Sequence, residues 1–427
     1  MSVDNNKKAA YHELVAYLCL ALYSVWLYLP SVQNALGARF AIGCIGIFVL
    51  NACLDTAFIR THYQRFLIIL LLCTYLSAHL TIVYTVGIEN FGISFPQIFM
   101  LFFPFLVVYY LRKTAAKRLC FPLLILVLAV NLITSFVNIH WLLNNSHTAR
   151  ALGFGGAETE YLRRAMSYGI GGFGFTYGLL ICINALLLSL PYLRKPLFRW
   201  GVVVLVLPMM LAVSLSSYFI ATLLLLLSLL AVGIHYLLYA WAKKRNEPYR
   251  LRYLLGILGL FLLLIVLFHG VIFDTLYTIL KQAGLPDYAQ KVQAIQNSLS
   301  NPDFERMDLG RVGDYQKGID TIIRSPWIGI RIDNHHEISG HSTVIDILAD
   351  SGIPAGIVFF AALCILLKLI YGTFWKTEHA YLFRWLWTVV LLLSLLNVII
   401  FVREAFVLLA LGPLYFEFFS TNTPKVK

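Results

Sequence analysis

Apolar residues run along this chain in blocks that hold almost no charge, and the polar residues are pushed into the gaps between them. The blocks cover about 11–29, 37–56, 65–86, 91–111, 119–142, 168–191, 197–215, 217–241, 253–275, 353–373, 381–402 and 404–420. Each is close to the roughly 20 residues that a helix needs to cross a hydrocarbon core of roughly 30 Å. Backbone in lipid has no water to bond to, so such segments satisfy their own polar groups as helices. The pattern predicts an all-α polytopic membrane protein with about 12 transmembrane helices.

Two gaps are long enough to fold: 143–166, between the fifth and sixth spans, and 276–352, between the ninth and tenth. The chain therefore divides into 1–275 with nine spans, 276–352 as a helical loop region, and 353–427 with three spans and a tail. Within the second gap Val312, Tyr315, Ile319, Ile322 and Ile323 recur at helical spacing, while Asp314, Lys317, Asp320 and Arg324 cover other faces. This predicts an amphipathic helix at the membrane surface, stopped by Ser325-Pro326, with Gly329 in the turn beyond. A second helix is expected from near Ser342 to Asp350, broken by Gly352 and Pro354 before span ten.

Composition and charge sharpen the picture. Of 427 residues, 60% are hydrophobic and 13% charged, with mean hydropathy +0.78, which excludes an ordinary soluble domain. The net charge of +12 comes from Lys and Arg clustered in every second connection, as in 112–118, 194–199 and 243–252. The opposite short connections, around 30–36, 87–90 and 216, carry none. Positive charge stays on the cytoplasmic side, so both termini are expected there and both long gaps outside. The clustering accounts for the charge without nucleic acid as a partner. The first apolar run lacks a small-residue cleavage site and reads as a retained signal anchor. The seven cysteines fall inside or at the edges of spans without paired spacing, so neither a disulfide frame nor a metal site is expected.

Candidate chemistry concentrates in 339–356, SGHSTVIDILADSGIPAG. His341 stands just before a helix start at the mouth of the bundle, and a neutral imidazole accepts a proton from a hydroxyl near physiological pH. The competing role is capping or packing. Asp346, one turn on, reads either as a second polar group or as a helix-surface carboxylate. The run Asp333-Asn334-His335-His336-Glu337 is rich in metal ligands, but His336 and His341 are separated by a turn and lack the four-residue helical spacing of a zinc protease. No metal or cofactor is expected, and His336 reads as an acceptor-site or surface residue. Gly169, Gly171 and Gly174 satisfy a dinucleotide-binding spacing but open an apolar helix, where small residues let helices approach. About 12 spans also suit a transporter, which would carry mid-span charge and a six-span repeat; neither stands out here.

His341 and Ser342, nine residues and then Gly352 match an outward-loop pattern, as do Gly310-Arg311 followed by a helix and Ser325-Pro326-Trp327-Ile328-Gly329. In these two segments the chain resembles the bacterial O-antigen polymerase and ligase superfamily (the Wzy and WaaL proteins). The ligase form of the pattern carries Gly, Thr or Tyr where this chain has Ala355, so the polymerase form is the expectation. Members often have an Arg after a Ser-x-Ser at the outward end of a middle span; here Ser214-Leu215-Ser216 is followed by Ser217 and Tyr218. The resemblance implies glycosyl transfer on the outer face of the bacterial cytoplasmic (inner) membrane. Donor and acceptor would be undecaprenyl-diphosphate-linked oligosaccharides among membrane lipids, with a chain-length regulator as a further partner. A ligase would use lipid A-core as acceptor instead.

Such a reaction needs a base and a cationic clamp for the diphosphate, a task suited to the planar guanidinium fork. The resemblance points to His341 and Arg311 as catalytic residues. Arg403 joins them because a charge between the last two spans is costly unless it is used, the alternative being an ion pair with Glu404. Arg163 and Arg164, in the first long gap, read as substrate contacts or as solvated loop charges.

Overall fold

The computed structural model describes residues 2–61, 65, 95–113, 120–144, 160, 163–164, 172–190, 193, 196–216, 218–245, 256, 259–260, 263, 267–282, 288–290, 292–293, 296, 311–329, 339–372, 380–399 and 402–419. Among them the elements are helices, without a β-strand. They are α1 (Ser2–Tyr28), α2 (Pro30–Leu54), α3 (Phe95–Lys113), α4 (Cys120–Asn144), α5 (Phe173–Ser189) and α6 (Pro196–Leu215), then α7 (Phe219–Arg245), α8 (His269–Gln282), α9 (Arg311–Arg324), α10 (Thr343–Tyr371), α11 (Ala380–Leu396) and α12 (Arg403–Phe419).

Among the described residues six segments are long and apolar enough to cross a membrane: Ala10–Tyr28, Val32–Leu54, Pro122–Leu143, Pro196–Leu215, Ile220–Leu238 and Thr343–Tyr371. Shorter apolar helices cover Met100–Leu111, Gly174–Ser189 and Arg384–Leu396. The protein is thus a multi-pass helical membrane protein. The expected span over 65–86 lies outside the described residues except for Arg65. The expected end of span nine at 275 falls inside α8, which runs on to Gln282 and carries Asp274 and Lys281.

Sequence decides which helices sit inside. From Ala405 to Leu411 α12 is apolar around its whole circumference and buried, and it packs against α1, α3, α4, α5 and α10. A helix without a polar face has to be surrounded. α3 is likewise buried from Met100 to Leu111, and Phe103 meets Tyr23 of α1 and Phe48 of α2 edge to face. By contrast α6 keeps Leu197, Trp200, Val204, Leu207 and Leu211 exposed along one stripe, as a lipid-facing helix does. Gly174 and Gly178 face Val402 and Glu404, so the small residues of α5 let it lie close to the start of α12.

Several helix ends collect at one pole of the bundle. The Tyr28 hydroxyl, at the end of α1, donates to the Glu404 carbonyl at the start of α12 at 3.0 Å. Tyr177 of α5 meets Tyr218, just before α7, with ring centroids 6.0 Å apart. Tyr288 donates to the Ser214 carbonyl near the end of α6 at 2.9 Å. Tyr315 of α9 donates to the Leu396 carbonyl closing α11 at 3.3 Å. His341 lies at this pole.

Candidate functional site

α9, the turn after it and the start of α10 fold into one shelf. The turn at 325–329 follows from Pro326, which cannot continue the helix as a donor, and from Gly329, whose φ of 72° favours glycine. α10 is two helices joined at Gly352, with φ 77°, and Pro354 opens the second. The two breaks meet, the Ile353 amide donating to the Pro326 carbonyl at 2.8 Å. The helix boundaries and breaks expected from the sequence are therefore present, and they form a single contact.

The loop leading into α10 is tied down by side chains. Ser342 is the N-cap, its hydroxyl accepting from the Ile345 amide at 3.3 Å. Asp346 reaches back and its Oδ1 accepts from the Ser339 hydroxyl at 2.5 Å, the Ser339 amide at 2.8 Å and the Gly340 amide at 3.1 Å. The Ser339 hydroxyl oxygen in turn accepts from the amides of His341 and Ser342. Asp346 is only 2% exposed, so the helix-surface alternative does not describe it. Its Oδ2 has no hydrogen-bond partner among the described residues. Thr343 anchors the shelf to the α11–α12 connection: its amide and hydroxyl donate to the Asn397 carbonyl at 3.2 and 3.0 Å, and its Oγ1 accepts from the Ile399 amide at 2.8 Å.

His341 stands on this shelf with its side chain 39% exposed, and its Nε2 lies 3.2 Å from Oδ2 of Asp314 on α9. Lys317, one turn along α9, places Nζ 3.6 Å from the other oxygen of Asp314. The close approach of α9 to the loop depends on Gly318, where a Cβ would lie 2.6 Å from Ile345 and 3.3 Å from Ser339. An imidazole with one nitrogen beside a carboxylate and part of its surface exposed can exchange a proton with a hydroxyl brought to it.

Arg403 lies at the same pole, four residues beyond the Ile399 that Thr343 holds. Its guanidinium carbon is 6.0 Å from the centroid of the buried Trp26 ring, a cation–π arrangement. No ion pair joins it to Glu404 among the described residues, whose salt bridges involve other groups. Arg163 and Arg164 are exposed helical residues, and Arg164 bonds Glu160 one turn away at 2.7 Å. Arg311 opens α9, one turn before Asp314; its side chain lies outside the described residues, as does all of 330–338 with His336. Among the described residues no group of three metal-ligating side chains comes together.

In the sequence Asp314 falls on a polar helix face, and nothing there connects it to His341. Trp26 and Asn397 carry no signal in the sequence. Only Gly318 offered a signal, as a glycine inside an amphipathic helix, where it is costly unless close packing requires it. A scan of protein-family models finds no match to the chain, and a search of curated proteins finds no match either.

Proposed function

We propose that this protein is a membrane glycosyltransferase that polymerises undecaprenyl-diphosphate-linked oligosaccharide repeat units of a surface polysaccharide on the outer face of the cytoplasmic membrane. About 12 spans with both termini cytoplasmic would put the pole bearing His341 outside. The acceptor hydroxyl would lose its proton to His341 as its oxygen bonds the anomeric carbon of the donor saccharide. The bond from that carbon to the diphosphate would break, its electron pair leaving with the lipid diphosphate. Cations stabilise that leaving charge in proportion to how well their donors match phosphate oxygens, which favours Arg311 and Arg403 as the clamp and needs no metal.

One observation carries this proposal. The described residues of the two segments that resemble the polymerase and ligase superfamily, 311–329 and 341–352, meet in one shelf, and the shelf presents the His341 imidazole at its surface. Arg403 at the same pole adds a half-buried cation without an ion-pair partner among the described residues. Ala355 favours polymerisation over ligation, because the ligase form of the motif carries another residue there.

Deleting the gene and separating the surface glycans on a gel tests this proposal. Single-unit caps with loss of the long ladder support polymerisation. Complete loss of capping moves the assignment to ligation, and an unchanged ladder refutes both.

A further inference from the structure

We propose that Asp314 is the positioning residue for His341: it holds the imidazole as the Nε2–H tautomer, leaving Nδ1 as the atom that takes the proton. This rests on the glycosyltransferase reading for the identity of the proton donor, but the pairing stands on geometry alone.

Nε2 of His341 and Oδ2 of Asp314 are 3.2 Å apart, across two separate elements. A carboxylate accepts and does not donate, so Nε2 has to carry the hydrogen if the two are bonded. In a neutral ring the lone pair then resides on Nδ1. No hydrogen bond to Nδ1 occurs among the described residues, whereas the backbone amide of the same residue is occupied by Ser339. Among the described residues the ring is thus met at one edge only.

The surrounding structure keeps the two groups in register. Gly318 brings α9 against Ile345 and Ser339, Tyr315 ties α9 to the end of α11, and the Asp346–Ser339 bonds fix the backbone that carries His341. Asp314 lies in the first turn of α9, where the helix dipole favours a carboxylate. Among the described residues the charged groups facing it are His341 and Lys317, and Asp346 lies behind the loop. Lys317 uses Oδ1 and leaves Oδ2 to the imidazole.

In the transfer the acceptor O–H gives its proton to Nδ1 while its oxygen bonds the anomeric carbon. The electron pair of the broken carbon–oxygen bond leaves on the diphosphate, and the imidazolium then returns the proton to that diphosphate. Nε2–H remains on Asp314 throughout, so the carboxylate stabilises the imidazolium and keeps Nδ1 aimed at the acceptor.

The test uses full-length protein in lipid nanodiscs, with 15N-labelled histidine, at about pH 8.5, where an ordinary imidazole is neutral. The difference between wild-type spectra and those of His341→Gln isolates the residue. A dominant Nε2–H tautomer that becomes a mixture in Asp314→Ala supports the pairing. A Nδ1–H tautomer in the wild type, or one unchanged by Asp314→Ala, overturns it. Turnover with purified lipid-linked repeat units is the second readout. Asp314→Ala should lower kcat by about 10- to 100-fold with KM nearly unchanged, a part of the effect of a placed base. Asp314→Glu should recover part of it, which a loss of folding would not allow. A kcat that stays at the wild-type value while the tautomer is lost keeps the pairing and refutes the use of His341 as base, so the two failures are distinguishable.

Discussion

Gly329 and Gly352 each lie against the backbone of the segment that carries the other. A Cβ on Gly329 would lie 2.4 Å from the Ala349 carbonyl oxygen, and one on Gly352 would lie 2.5 Å from that of Trp327. Both residues also have positive φ. Changing either to Ala adds a steric clash to backbone strain, and each should cost about 2 kcal/mol or more. Because both clash within one contact, the double variant should lose less than the sum. Thermal unfolding of the four proteins in detergent reads this; independent, additive losses would contradict the shared contact.

Asp346 accepts three hydrogen bonds on one oxygen in a buried setting. Replacing it with Ala orphans the Ser339 and Gly340 amides and should destabilise by about 2–3 kcal/mol, whereas Asn keeps an acceptor and should cost about half as much. If Asp346 only shapes the loop, the KM of Asp346→Asn for lipid-linked repeats should stay at the wild-type value. A large rise in KM with stability intact would make it a substrate contact.

The breaks at 325–329 and 352–354 are legible because proline restricts the backbone and glycine frees it to positive φ, and neither effect depends on what lies opposite. The interior position of α12 was not read, although its uninterrupted apolar run from Ala405 to Leu411 called for a surrounded helix. Asp314 was opaque for a different reason. A helix drawn alone has a polar face, and nothing in its periodicity tells that the face is crossed by a loop more than twenty residues later. The same holds for Trp26 and Arg403, which lie at opposite ends of the sequence and meet only because α1 and α12 pack together.

Arg403 beside the Trp26 ring should bind the diphosphate through its guanidinium fork. Arg403→Ala should raise the KM for the lipid-linked donor by about 10- to 100-fold, the range of a charge-assisted hydrogen bond, and Lys should restore only part of it. Full rescue by Lys would show that charge alone suffices, and an unchanged KM for Ala would remove Arg403 from the clamp.

Ile323 and Trp327 leave α9 and its turn exposed, Trp327 by 73%, next to the exposed Ile353 and Ile357 of α10. An amphipathic surface continuous with a spanning helix belongs at the headgroup level, where tryptophan is favoured. Lipids brominated near the headgroup should quench the emission that Trp327→Phe removes. A difference spectrum unaffected by such lipids would place the turn in water.

The central claim is tested most directly by reconstituting the purified protein and supplying a single undecaprenyl-diphosphate-linked repeat unit, with products resolved on a gel. The wild type should build a ladder of multiple repeats, and His341→Ala, folded to the same melting temperature, should leave the single unit. No ladder from the wild type, or a full ladder from His341→Ala, would contradict it.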